Sequence, residues 1–162
     1  MITFKKIKYK NFLSTGNTPI EISLNKSNTT LIVGSNGSGK STLLDALCFV
    51  LFNKPFRIIK KEQMVNTVNN GDCEIVLEFD VGTKKYKIIR GIKPNIFEIY
   101  QDGQLINQDA SNIDYQKYLE NNIMRLNYRS FLQVVLLGSS SYEPFMKMKP
   151  RYRREVVEEI LD

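Results

Sequence analysis

The sequence predicts an α/β fold: a mixed sheet that includes an antiparallel β meander, with helices packed against it. Two observations carry this. An apolar run over residues 29–33 leads through GSNGSGKST into a second apolar stretch, STLLDALCFVLF, over residues 41–52. Further on, residues 73–106 alternate apolar and polar positions and contain Asp102-Gly103, the dipeptide that favours a tight hairpin. With 162 residues, the chain is long enough for one domain with a real core.

The elements follow in order. Ile2, Phe4, Ile7 and Tyr9 alternate with lysines, with a one-residue slip at Lys5 and Lys6 that reads as a bulge in a strand. A loop holding Gly16 and Pro19 leads to a second strand marked by Ile20, Ile22 and Leu24. Residues 29–33 have no polar face, which predicts a strand buried on both sides. Residues 41–52 lack Gly and Pro and are apolar nearly all round, so they predict a helix buried against the sheet. Residues 53–70 form a polar connection with room for one turn of helix. Cys73, Ile75, Leu77 and Phe79 then mark one face of the first meander strand, and 85–90, 96–100 and 105–106 continue it.

Tyr115, Leu119, Ile123 and Leu126 recur at helical spacing, and Ser111 with Asp114 suits the helix start. The run FLQVVLL over residues 131–137 predicts another buried strand. Pro150 opens a last helix with Val156, Val157, Ile160 and Leu161 on one face, and no glycine cap follows it.

Composition removes whole classes of chemistry. The chain has no histidine, which excludes Ser/His/Asp triads, Cys/His dyads and HExxH metal sites. Its two cysteines, Cys48 and Cys73, lie far apart in apolar stretches and read as buried thiols in a reducing cytosol. The longest apolar stretch is about ten residues and contains Asp45, too short to cross a bilayer, so no membrane role is expected and the location is expected to be cytoplasmic. The balance of 23 basic and 17 acidic residues gives a net charge of +6, compatible with a phosphate-rich partner.

Gly34-Ser35-Asn36-Gly37-Ser38-Gly39-Lys40-Ser41 fits GxxxxGK[ST], placed after a buried strand and opening a helix. Glycines let successive backbone N–H groups turn inward toward phosphate oxygens. Lys40 suits the β and γ phosphates of ATP, and the Ser41 hydroxyl suits Mg²⁺. Thr42 and the positive end of the helix complete the expected nucleotide site. Hydrolysis also needs an acid at the end of an apolar strand. IVLEFD over residues 75–80 is the only superficial match, and Glu78 and Asp80 fall in the half-solvated meander, so half of an ATPase site is expected to be missing.

KIKYKNFLS, LIVGSNGSGKSTLLDAL and FLQVVLLGSSSYEPFMKMKPRYRREVVEEILD together resemble the N-terminal ATPase lobe of the SMC-like (SbcC-type) double-strand-break repair ATPases, including those of T-even-like phages. The resemblance implies a P-loop NTPase fold of ABC/SMC type. It implies that residues 1–148 form the N-terminal lobe and that residues 149–162 begin a coiled coil. The expected partners are a C-terminal ATPase lobe of the same protein carrying the Walker B acid and signature motif, a second copy in an ATP-dependent homodimer, a nuclease subunit, and double-stranded DNA. For a phage protein the location would be the host cytoplasm.

Departures from the family pattern are specific. The family's Q-loop glutamine falls at Ser139, and Gln133, six residues earlier, does not inherit its role. Leu13 stands where cellular relatives often carry Arg. LGSSSYE over residues 137–143 lacks the glycine pair of a signature motif and is read as a decoy. Lys60, Lys61 and residues 65–67 fall where the family lines the adenine side of the pocket. Arg151, Arg153 and Arg154 crowd the first turn of the last helix, where the helix dipole disfavours cations, and are candidates for contact with DNA or the nuclease partner. Lys5, Lys6, Lys8 and Lys10 read as the wet face of an edge strand. Two rivals stay open on sequence alone: a self-contained small P-loop kinase or NTPase, and a non-enzymatic DNA-binding module with a vestigial P-loop.

Overall fold

The computed structural model describes residues 1–106, 112–136 and 144–161. Six strands form one sheet in the order β2-β1-β3-β4-β5-β6: β1 Ile2–Lys10, β2 Ile20–Ser23, β3 Cys73–Val81, β4 Lys84–Ile92, β5 Ile96–Gln101 and β6 Gln104–Leu105. Every pairing is antiparallel. The bulge falls where the sequence places it, between Phe4 and Lys6 against β3. The β5–β6 hairpin turns at Asp102 and Gly103, both at positive φ (51° and 85°), the backbone an Asp-Gly turn of the tight hairpin class requires.

One face of the sheet is dry. Ile7, Cys73, Ile75, Leu77, Phe79, Ile88 and Ile99 are buried on it beneath helix α1, Lys40–Phe52. Helix α2, Asn112–Tyr118, runs into a wider turn over Leu119–Met124, and Tyr115, Leu119, Ile123 and Met124 bury against the same core. With the sheet on one side and this segment on the other, α1 is enclosed nearly all round, as its largely apolar composition demands.

The outer face carries charge in cross-strand rows. Lys6 lies opposite Ser23 on β2 and Glu78 on β3, which in turn faces Lys87 on β4. Lys5 pairs with Asp80 at 3.1 Å, Lys6 with Glu21 at 3.2 Å and Lys10 with Asp72 at 2.8 Å. The lysines of β1 thus sit on a wet face as expected, but β1 is an interior strand; β2 takes the edge.

Three expectations are corrected. Residues 29–33 form no strand, and Leu31 and Val33 are more than 80% exposed. A strand apolar on both faces needs cover over both of them, and no described strand pairs with this run. Among the described residues the sheet is antiparallel throughout rather than mixed. The described part of the 131–137 run, residues 131–136, is also not a strand: α3, Tyr128–Val134, occupies most of it. Asn127 caps it, its side-chain oxygen accepting from the N–H groups of Arg129 (2.9 Å) and Ser130 (3.0 Å). A short apolar run fits a buried helix as well as a buried strand, and here the cap decides.

Helix α4, Pro150–Leu161, packs on α3. The Arg129 guanidinium lies 3.5 Å from the Tyr152 ring centre and bonds Glu155 at 3.2 Å. Val156 is buried, while Val157 and Leu161 of the expected apolar face are exposed. No helix is long and apolar enough to cross a membrane among the described residues.

Cys48 and Cys73 are both buried and unpaired with each other. Burial pushes each thiol up to about 12 from 9.0, which cuts the reactive thiolate ~1,000-fold near neutrality. Neither thiol is expected to react with a disulfide reagent in the native protein, and both should react in denaturant. Fast stoichiometric labelling of the native state would contradict this packing.

Candidate functional site

The glycine-rich loop is built around two left-handed glycines, Gly37 (φ 83°) and Gly39 (φ 91°), which any Cβ would strain. Gly34 is needed for a different reason: a Cβ there would come within 2.4 Å of the Ser38 hydroxyl. The Ser38 N–H donates to the Ser35 carbonyl at 3.2 Å, and the Thr42 N–H to the Gly39 carbonyl at 3.0 Å, closing the turn onto α1. Lys40 opens the helix and folds its ammonium back over the loop, donating to the carbonyls of Gly34 (2.6 Å) and Ser35 (2.7 Å).

Helix α1 carries no side-chain cap and no acid in its first turn. Its leading N–H groups and positive dipole end therefore face the loop, the arrangement that attracts an anion. Ser41 is exposed beside Lys40, while Thr42 is buried behind it.

The loop forms one wall of a cleft of about 540 Å³. The opposite wall comes from the turn after β1 (Leu13 and Ser14) and from the connection after α1 (Arg57, Ile59, Gln63, Val65 and Thr67). Buried Asn11, at φ 51°, ties these two segments together. Its amide donates to Asn17 at 2.7 Å, its side-chain oxygen accepts from Asn69 at 2.7 Å, and its carbonyl accepts from the Asn66 N–H at 2.8 Å. Asn66 in turn donates to the Leu13 carbonyl at 3.1 Å, and Phe12 bridges Val65.

Sequence reasoning missed Asp45 and Arg57. Asp45 is fully buried in α1, and Arg57 lines the cleft. The Arg57 backbone N–H donates to one Asp45 oxygen at 3.1 Å, and Nε donates to the other at 2.8 Å alongside Nη2. An acid inside an otherwise apolar helix was the available signal, because a buried carboxylate requires a cation.

The remaining expected residues separate clearly. Val65 and Thr67 line the cleft, whereas Lys61 sits over the Phe49 ring near Arg90, where burial first and that guanidinium second lower its pKa. Glu78 and Asp80 lie on the sheet face away from α1. No carboxylate lines the cleft among the described residues. Gln133 is within α3; Ser139 and the whole of LGSSSYE lie outside the described residues. Arg151 and Arg154 are exposed on α4 and Arg153 is half-buried, all away from the cleft.

A glycine-rich loop that starts a buried helix against a sheet, with a cleft over its lysine, defines a P-loop NTPase lobe. The chain belongs to the AAA domain family, whose profile matches residues 6–162. It is 45% identical to exonuclease subunit 2 of Escherichia phage RB69, covering all of this chain and 29% of the relative. It is 29% identical to the DNA double-strand break repair Rad50 ATPase of Thermoplasma volcanium, covering 98% of this chain and 18% of that one. Among solved structures, an Smc head domain from Pyrococcus furiosus with an extended coiled coil, bound to the C-terminal domain of ScpA, superimposes with a TM-score of 0.66 at 22% identity. That match covers 99% of this chain and 42% of the other. The chain thus spans less than a third of the phage relative.

Asn11→Ala should cost about 2–4 kcal/mol, because it removes several buried hydrogen bonds and places alanine at positive φ. Asn11→Gly should recover the backbone part only. Chemical denaturation measures both, and an unchanged midpoint for the alanine variant would show that the asparagine network does not hold the cleft wall.

Proposed function

We propose that this chain is the ATP-binding N-terminal lobe of a DNA repair and recombination ATPase that controls a partner nuclease acting on double-strand DNA ends. The observation that carries the reading is a phosphate loop opening onto a cleft with two cations and no lining carboxylate among the described residues. Backbone N–H groups of residues 34–39 hold the phosphates, Lys40 draws its ammonium from the Gly34 and Ser35 carbonyls to the β and γ phosphates, and Thr42 supports the loop from within α1. Such charge-assisted bonds contribute about 1.5–3 kcal/mol each.

The oxygen chemistry of the site fits Mg²⁺. The exposed Ser41 hydroxyl at the helix start would hold it together with nucleotide oxygens, and the ion would neutralise phosphate charge. The acid that activates water comes from a C-terminal lobe of the same protein, and the signature motif from a second copy engaged across ATP. Residues 1–148 form the lobe and 149–162 begin the coiled coil. Arg151, Arg153 and Arg154, at the root of that helix, meet DNA phosphates or acidic groups of the nuclease subunit. The 45% identity to a phage exonuclease subunit over the full chain supports this assignment and a location in the host cytoplasm.

This chain alone should bind Mg²⁺-ATP with negligible turnover, and Lys40→Ala should weaken binding about 10–100-fold, the equivalent of one charged phosphate contact. Joining the remainder of the protein should bring turnover. Lys40-dependent hydrolysis by residues 1–162 alone would instead require an acid inside this lobe and favour a self-contained NTPase.

A further inference from the structure

A second cavity, of about 340 Å³, lies at the opposite end of α1 from the glycine-rich loop and shares no lining residue with the cleft. Its floor holds Arg90, which bonds the Val50 carbonyl, roughly 15 Å along the helix from Lys40. Arg90 is only 4% exposed, yet its direct partners are neutral: the Val50 carbonyl at 2.9 Å, the Gln116 side-chain oxygen at 2.6 Å and the Phe97 ring at 3.7 Å. Among the described residues, Nη1 makes no hydrogen bond and no carboxylate lies within ion-pair distance. Buried charges are ordinarily paired, and this one lacks its anion. Burial pushes the guanidinium down from 12.5 to about 9, with Glu120 opposing the shift.

Three lysines line the same cavity. Lys61 is half-buried, and burial first and Arg90 second lower its pKa, with Glu62 offsetting only part of this. Lys54 stands over the Tyr128 ring at 5.6 Å, and Lys117 is exposed on α2. None of the three pairs with a carboxylate among the described residues. Glu120 is the one acid in the lining, and its carboxylate accepts from Gln116 at 2.7 Å. Four cations thus face one acid that is already bonded.

The alternative is that Arg90 only closes the C-terminal end of α1. That role accounts for its bond to Val50 and suits a cation at a negative helix pole. It does not account for three further ammonium groups around the same hollow, where like charges repel and each makes the next more costly. Convergent cations of this kind mark a binding site more than a joint. The rest of the lining is largely apolar, with the Phe52, Phe97 and Tyr128 rings beside Ile96 and Ile113. A bare phosphate would leave those rings and much of the volume unused, and Arg90 is too recessed for the backbone of a DNA duplex to reach.

We infer that this cavity is a second anion site, separate from the phosphate loop, which takes a phosphate monoester carrying an aromatic group, the class to which mononucleotides belong. Arg90 and Lys61 hold the phosphate, and Lys54 and Lys117 draw it in from the rim. The rings receive the aromatic group. The inference does not rest on the nucleotide-binding reading of the loop.

The test uses the full-length protein carrying Lys40→Ala, which suppresses the loop site, and titrates AMP by calorimetry. AMP should still bind, and adenosine or inorganic phosphate alone should bind about tenfold more weakly or worse. Adding Lys61→Met should weaken AMP about tenfold. It should also raise the melting temperature of the free protein, because it removes a charge that Arg90 repels and keeps the apolar stem. A variant that lost both affinity and stability would mark Lys61 as a structural support and overturn its assignment. Lys117→Gln, at an exposed rim position, should weaken AMP several-fold and decides the question if Lys61→Met does not fold. Absence of AMP binding with Lys40→Ala, or AMP binding that neither lysine substitution moves, overturns the inference. Inorganic phosphate binding as tightly as AMP would overturn the monoester assignment. Loss of duplex DNA affinity in the lysine variants without any AMP binding would overturn it too, by placing these cations on a nucleic-acid contact surface. The loop reading is untouched by these outcomes, since it depends on ATP binding with Lys40 intact.

Discussion

Helix α1 is buried along almost its whole length, and the rest of the lobe is arranged around what a buried helix does with its two ends. A helix leaves unpaired carbonyls at its C-terminus and unpaired N–H groups at its N-terminus, and burial makes both costly. At the C-terminal end the protein supplies partners from its own core. Arg90, on β4 and only 4% exposed, donates from Nε to the Val50 carbonyl at 2.9 Å, and Gln116 on α2 donates to the Leu51 carbonyl at 2.8 Å. Asn53, at φ 56°, closes the turn back to Phe49. Arg90 is itself covered by the Phe97 ring at 3.7 Å and bonded to Gln116 at 2.6 Å, so sheet, α2 and α1 lock through one guanidinium. At the N-terminal end the protein supplies no side-chain cap. That asymmetry is the basis of the site: the one pole left open is the positive one, and a glycine loop keeps it accessible.

The second wall of the cleft depends on a different kind of bond. Leu13 is far in sequence from Val65 and Thr67, and all three belong to segments with little regular structure. A loop without a ladder must satisfy its backbone groups by other means. Here short amide side chains substitute for a sheet: Asn11, Asn66 and Asn69 bond each other's backbone or side chains, and Thr15 exchanges two bonds with Phe12 at 2.7 and 2.9 Å. The apolar residues between them, Phe12 and Met64, are thereby held in the core against Phe49. Cleft and core are thus anchored by the same few asparagines.

What the sequence discloses and withholds follows from range. The meander was legible because its signals are local: alternation sets the faces, and Asp102-Gly103 sets the turn. The loop and helix at residues 34–52 were legible for the same reason. The two strands that failed, 29–33 and 131–137, were inferred from apolarity alone, which reports burial without naming a partner. In the second case Asn127 gave a local cap signal that outweighs apolarity once its reach to Arg129 and Ser130 is seen. The Asp45–Arg57 and Asn11–Asn69 bonds were harder to read because they join residues 12 and 58 positions apart, and no periodicity names the partner of a buried acid or amide.

The exposed run at residues 29–33 and the cleft without a lining carboxylate are physically one feature. The run leads directly into Gly34, so a strand that paired with it in parallel would end beside the loop and deliver the residue at its terminus to the cleft. Apolar side chains such as Leu31 and Val33 contribute about 1.5–3 kcal/mol each on full burial, which is ample to favour such pairing. A catalytic acid carried at the end of an apolar strand would thus arrive by the same contact that covers the run. Burial of the apolar segment and delivery of a group to the cleft would then be a single event.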